Sequence, residues 1–491
     1  LYFKTSTLQV SIKVTDHTQR SHLESLVILI TNSQFLSPKM SITCNNVHIP
    51  RENIIVGFKT SPCRKSLTID FQENKWKFHA QWLHDAQVDN GASKDAVDVF
   101  TQKSQVALIN DVNLTEQGVR SNLGVSWDDG STSYFPAVWL KVLAPLVAKP
   151  HDNTSARMPD TAKGWLATTL QIPEFSFFNV FPKDVNSKEF SATKELVYDT
   201  LLRKSATGII KVIDLPAPEL EEERQKENTL VTRILKQLFG SVFLHPVRGF
   251  EKTFNISSHH EDDAKRGAKL PNYNAVKALL PHADHAHYTH PSRIQGLYAL
   301  EGESENTFVS CHAALNALQL ESPELVPYLS AVPMIIGRCA EFYTPPLYQA
   351  TVDTAITLEP GFPDSIKRFR WHPHLAGSLL ASYDTFPEAR EAYRKFQEIM
   401  RRDEVQVKIR FKQGDLYIWD NFRILHGRER VLATPRTAVG QTVPEQVVVD
   451  AYRAIKMGRL KGIVDEKWLV HVPLEQLDEM VELVAKASFP G

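Results

Sequence analysis

Three side chains able to hold a metal ion stand at two places in this chain. His282 and Asp284 are separated by one alanine. His426 lies within Trp419-Asp420-Asn421-Phe422-Arg423-Ile424-Leu425-His426-Gly427-Arg428. Two imidazoles and one carboxylate suit Fe(II), gripping it on one face and leaving the other positions open. Residues i and i+2 of a strand share a face, so His282 and Asp284 can reach one ion while Ala283 points away. The third donor must come from another strand, and His426 follows an apolar run and precedes Gly427, where the chain can turn. No cysteine is adjacent, which argues against a thiolate site. Arg436 follows the second histidine. A guanidinium forks onto a carboxylate in two parallel hydrogen bonds, as lysine cannot. With Ala438 and Val439 continuing a strand beyond it, Arg436 is expected to face a barrel interior and hold the far carboxylate of 2-oxoglutarate.

His-x-Asp alone arises by chance, and the histidines that follow it (His285, His287 and His290) raise two rivals. A dinuclear zinc hydrolase needs His-x-His-x-Asp-His, but Leu280 stands two residues before His282 and the pattern fails. A structural zinc site could use several of these histidines. The plainer reading, preferred for these three, is loop residues or residues just outside the ligand set.

The elements that must position these groups are legible in outline. The chain has 491 residues, 42% of them hydrophobic and 23% charged, enough for a large core and two domains. A net charge of −1 gives no electrostatic case for nucleic acid or an anionic membrane. Four scattered cysteines (Cys44, Cys63, Cys311, Cys339) make no disulfide framework and favour a reducing compartment. The expectation is a cytoplasmic protein, or a mitochondrial one, with no membrane span. Two segments of the first 145 residues look alike: Leu67–Phe71 and Leu123–Trp127 alternate like half-buried strands. Each leads through a polar turn into Phe-x-x-x-Trp-Leu, ending at Trp82-Leu83 and Trp139-Leu140. A polar stretch from Ala148 to Lys163 marks the boundary between a small β-rich domain (1–147) and a larger one (164–491). In the second, strands are expected at 208–213 and 416–419, with helices at 220–239, 388–402 and 474–487. Strands separated by long excursions suit a mainly β, α+β architecture of jelly-roll type with helical buttresses.

The run from Asp420 to Arg428, together with His282-x-Asp284, His290-Pro291, Gln295, Gly302-Glu303-Ser304 and Phe308-Val309, resembles the γ-butyrobetaine and trimethyllysine dioxygenases of the taurine-dioxygenase-like superfamily. The resemblance covers most of the chain and is strongest between Tyr273 and Gln441. It implies a double-stranded β-helix and Fe(II) on His282, Asp284 and His426. It further implies 2-oxoglutarate on Arg436 with Thr307 assisting, O2 as co-substrate, a small-molecule substrate and a homodimer. Substrate contacts fall on Tyr273, Phe243 and Thr442.

Two departures shape the expectation. The family's N-terminal zinc ligands have no counterpart, since Trp82-Leu83-His84-Asp85 is followed by no cysteine and Asp128-Asp129-Gly130-Ser131 carries no histidine. Cys44, His48 and Cys63 form no replacement motif. Betaine-processing members enclose a trimethylammonium in aromatic faces, whereas here Phe239 and Phe243 stand for tyrosine and tryptophan, and Thr442 for another tyrosine. The family's asparagine near the co-substrate has no clear match around Arg370-Trp371-His372-Pro373-His374. The leading expectation is therefore an oxygenase that hydroxylates or oxidatively cyclises a small amino-acid-like or betaine-like carboxylate in specialised metabolism. γ-Butyrobetaine or trimethyllysine hydroxylation is the runner-up, and a non-catalytic metal- or ligand-binding protein is the alternative of another class.

Overall fold

The computed structural model describes residues 2–5, 8–11, 54–71, 74–86, 107–116, 118–148, 164–219, 228–244, 254–258, 278–340, 347–360, 362–431, 435–470 and 472–488. Contacts divide the chain into a unit of Leu1–Ile49 and one of Pro50–Gly491. In the first, the strands Tyr2–Thr5 and Leu8–Ser11 pair antiparallel. All that follows concerns the second, a mixed α+β unit.

The internal likeness in the first part of the chain is a repeated fold. Strands Gly57–Thr60, Ser66–Asp70 and Lys75–His79 form an antiparallel meander that runs into the helix Ala80–Ala86. Strands Ile109–Thr115, Asn122–Trp127 and Thr132–Pro136 do the same into Ala137–Ala148. The shared Phe-x-x-x-Trp-Leu is the strand-to-helix junction, placing one ring on the sheet and the next one helical turn on. Phe78 contacts Trp82, Phe135 contacts Trp139, and the two tryptophans stack on each other with centroids 5.8 Å apart. Trp468 packs edge-on against Trp139 at 4.8 Å, so the C-terminal segment completes this core.

Two sheets carry the remainder. A six-stranded sheet runs in the order Phe254–Ser258, Arg436–Pro444, Ser292–Glu301, Leu416–Asp420, Ile209–Ile213, Glu174–Ser176. Only its last pair is parallel. A four-stranded antiparallel sheet runs Leu279–His282, Ile424–Arg428, Ser304–Ser310, Gln406–Phe411. Period-2 alternation decides what each strand gives to each side. Tyr417 and Trp419 join Leu297, Phe308, Phe411 and Ile424 in the core between the sheets. Leu416 and Ile418 face the other way, onto the helices Lys188–Leu202, Leu230–Phe239 and Glu445–Leu460. Both faces of the strand Leu416–Asp420 are therefore covered, which is why it reads as a near-continuous apolar run. The helices Phe386–Ile399 and Leu474–Ser488 lie within a residue or a few of the spans read from periodicity. The helix expected at 220–239 is described from Leu230, after its cap Thr229 accepts from the Thr232 amide.

Candidate metal and co-substrate site

The strand Leu279–His282 pairs with Ile424–Arg428 so that His282 stands directly opposite His426. Asp284 follows at the strand's end, where Asn421 holds its backbone on both sides. The Asn421 Oδ1 accepts from the Asp284 amide at 3.1 Å, and its Nδ2 donates to the Asp284 carbonyl at 2.9 Å. This ties the two motifs together across 137 residues. His282 Nε2 lies 3.4 Å from Asp284 Oδ1, and His426 Nε2 lies 3.7 Å from Asp284 Oδ2. His282 Nδ1 donates to the Leu280 carbonyl at 2.8 Å, which fixes the tautomer and leaves the Nε2 lone pair free for a metal. Gln295 Nε2 donates to Asp284 Oδ2 at 2.7 Å and orients the carboxylate.

The protonation states suit a cation. Burial, then the neighbouring His282, pushes the His426 imidazole down to about 3, so it is neutral at physiological pH. Burial alone would raise the Asp284 carboxyl, but the adjacent His282 and His426 rings hold it well below the usual range. Two imidazoles and one carboxylate with donor atoms this close match the ligand set of a non-haem Fe(II) centre.

Arg436 sits on the same cavity. It is 4% exposed; its Nε donates to Ser304 Oγ at 3.1 Å, and its Nη1 has no partner among the described residues. Burial and the adjoining Arg428 depress it to about 9. A desolvated guanidinium with an unpaired donor suits a carboxylate partner, and 2-oxoglutarate carries one at the far end of its chain. The cavity holds about 190 Å³, and its walls include Phe243, Tyr288, Arg338 and Thr442.

The other candidates divide. Phe243 and Thr442 line the cavity, and the Phe243 amide donates to the Thr442 carbonyl at 2.8 Å. Thr307 does not line it. It pairs with Gly427, one residue out of phase with Phe308 and His426, so alternation turns it to the opposite face. Asn306, the neighbour of opposite parity, lines the cavity instead. Phe239 is buried in the helix-to-sheet core, its ring 4.9 Å from Tyr198. Tyr273, Cys44 and His48 lie outside the described residues. Cys63 is exposed, and its Sγ lies 3.3 Å from Ser61 Oγ.

Sequence reasoning passed over several residues. His372 is 6% exposed and has a ring nitrogen grouped with the donors of His282 and Asp284, all within 4.8 Å of one another. His285, expected as a loop residue or one just outside the ligand set, forms with Tyr288 a ring cluster against Phe243, at 4.7 and 5.5 Å. Arg370, 1% exposed, clamps the loop that carries them. Its Nη1 donates to the Ala286 and Tyr288 carbonyls at 2.8 and 2.6 Å, and its Nε meets Asp353 at 3.0 Å.

Residues 225–441 match the model of the taurine catabolism dioxygenase TauD, TfdA family, a span that contains all four of these groups: His282, Asp284, His426 and Arg436. The chain carries a TauD/TfdA-family domain. It is an Fe(II)- and 2-oxoglutarate-dependent dioxygenase, with O2 as its second co-substrate. The chain is 24% identical over 361 residues to the gamma-butyrobetaine dioxygenase of Pseudomonas sp. (strain AK-1), covering 72% of this chain and 83% of that protein. Among solved structures it is similar to asparagine oxygenase in complex with Fe(II), hydroxyasparagine and succinate. That similarity is at 17% identity and a TM-score of 0.39, over 55% of this chain and 88% of the other. It is also similar to the non-heme iron oxygenase OrfP in complex with Fe and alpha-ketoglutaric acid, at 15% identity and a TM-score of 0.37, over 51% and 79%. No helix among the described residues of this dioxygenase is long and apolar enough to cross a membrane.

Proposed function

We propose that this dioxygenase hydroxylates or oxidatively cyclises a small amino-acid-like or betaine-like carboxylate, with His282, Asp284 and His426 holding Fe(II) and Arg436 holding the distal carboxylate of 2-oxoglutarate. The observation that carries this reading is the meeting of those three donors beside a buried guanidinium with an open Nη1. Fe(II) with 2-oxoglutarate and O2 supplies an oxidant able to remove hydrogen from an unactivated carbon. The chain's own residues do the rest. Gln295 and Asn421 fix Asp284, and the loop held by Arg370 presents His285 and Tyr288 beside Phe243 to the substrate. A cavity of about 190 Å³ fits a small molecule, and Arg338 in its lining offers a cation for a substrate carboxylate.

Ring faces at Phe243, Tyr288 and His285 favour a quaternary or primary ammonium at the other end of the substrate. They keep γ-butyrobetaine or trimethyllysine hydroxylation as the second reading, in line with the Pseudomonas relative. The catalytic part would be a double-stranded β-helix spanning 164–491, with 1–147 as a small β-rich N-terminal domain. The test is succinate formation from 2-oxoglutarate with Fe(II), screened against free amino acids and against trimethylammonium carboxylates. Stimulation by an amino acid with one oxidised product per succinate is expected. Stimulation by the betaines alone would select the second reading, and no 2-oxoglutarate turnover under any condition would refute both.

A further inference from the structure

His372 is a fourth metal-capable group at a site whose chemistry needs three. It follows the strand Phe362–Phe369, and its backbone is pinned. The Ala283 amide, between the two candidate ligands, donates to the Trp371 carbonyl at 2.7 Å, and the Leu375 and Ala376 amides both donate to the His372 carbonyl at 3.0 Å. The ring lies 4.7 Å from that of His282 and lines the same cavity. Its Nδ1 has no hydrogen-bond partner among the described residues. A core histidine is ordinarily kept by its hydrogen bonds, since an unpaired buried polar atom costs about 1–3 kcal/mol. No such bond accounts for this one, and its donor lies within 4.8 Å of those of His282 and Asp284.

Counting positions decides what it can do. An octahedral ion held by two imidazoles and a carboxylate has three positions left; 2-oxoglutarate as a chelate takes two, and O2 needs the third. A permanent fourth protein ligand would leave no place for O2. We propose that His372 is a displaceable fourth ligand, bound to the metal before 2-oxoglutarate arrives and released by it. The exchange is redox-neutral: the His372–metal bond and two water–metal bonds break, the chelate's two oxygen–metal bonds form, and one of six positions is left for O2. The ion is thereby held more tightly while co-substrate is absent, and the release of His372 keeps a position for O2 once 2-oxoglutarate is in place. This inference rests on the assignment of His282, Asp284 and His426 above.

The test is the dissociation constant of Fe(II), titrated anaerobically into the whole chain with and without saturating 2-oxoglutarate. For His372→Ala we expect weakening of about tenfold or more without 2-oxoglutarate, a scale that even outer partners of metal ligands reach. With 2-oxoglutarate bound the loss should vanish. By reciprocity, the iron-loaded variant should then bind 2-oxoglutarate more tightly by the same factor. His372→Asn, which keeps a polar group of similar reach, guards against a folding defect and should behave like alanine. Unchanged iron affinity in both conditions, or an asparagine variant equal to the parent, would make His372 a packing residue and overturn the proposal. Equal weakening in both conditions would make it a permanent ligand and overturn it too. The underlying assignment fails separately: His282→Ala and His426→Ala should lose iron in both conditions, and either one binding normally sinks that assignment whatever His372 does.

Discussion

Replacing Arg436 by methionine should move two quantities in opposite directions. The guanidinium is 4% exposed, and its value of about 9 rather than 12.5 records the cost of burying a charge beside Arg428. At 1.36 kcal/mol per unit that cost is about 5 kcal/mol at most. Methionine has similar length and no charge, so the protein without co-substrate should be no less stable, and more stable by about 1–4 kcal/mol, as when other buried ions are replaced by well-packed apolar groups. Co-substrate binding should suffer. Removing one partner of a buried, hydrogen-bonded charge pair costs about 2–5 kcal/mol, so the 2-oxoglutarate dissociation constant should rise at least about thirtyfold. The assay is denaturant unfolding of Fe(II)-loaded protein under argon, with and without 2-oxoglutarate. At a concentration one hundred times the parent's dissociation constant, ligand stabilises the parent by about 2.7 kcal/mol. A variant weakened about a hundredfold would gain only about 0.4 kcal/mol. A variant that is destabilised without ligand yet keeps the parent's full ligand-induced gain would show that Arg436 is structural and that the carboxylate sits elsewhere.

Two further outcomes follow from other parts of the fold. Gly427→Ala should cripple iron binding and destabilise the chain by about 1–3 kcal/mol. A methyl there would stand 2.6 Å from both the Leu279 carbonyl and Thr307 Oγ1, prising apart the strands that carry His282 and His426; parent-like iron affinity would contradict this register. His312 is 7% exposed, and burial, then Arg423 and Lys204, pushes its imidazole down to about 3. The unfolded chain takes up a proton near pH 6.5 that the folded chain refuses. Its contribution to stability is therefore intact above pH 6.5 and falls by about 1.4 kcal/mol per pH unit as pH drops toward 3. Denaturant midpoints of the His312→Leu variant should fall less steeply over that range, and an identical slope would mean His312 does protonate in the native state.

The contrast between what the sequence disclosed and what it hid has a physical basis. That His282, Asp284, His426 and Arg436 line one cavity was legible only in part through strand alternation, which converts spacing into direction at His426. Asp284 lies beyond the end of the strand Leu279–His282, whose pairing shifts register, and Asn421 rather than alternation holds its backbone. The repeated Phe-x-x-x-Trp-Leu was readable because one local junction is built twice. Thr307 shows the limit of the same rule. A shift of one residue along a strand changes the face, and only the pairing with Gly427 reveals which parity looks inward. His372, Arg338 and Arg370 gave no local signal. They reach the site from a separate excursion, through long-range contacts such as the Arg370 bonds to the Ala286 and Tyr288 carbonyls. Asn421 was visible as part of a motif, but its task of holding Asp284 from both sides is a property of the folded chain alone.

The most direct test of the central assignment is visible absorption of the anaerobic apo-protein titrated with Fe(II) and then 2-oxoglutarate. The parent should develop a weak charge-transfer band only when both are present, and His282→Ala and Asp284→Ala should develop none. No band in the parent, or an undiminished band in either variant, would contradict the account.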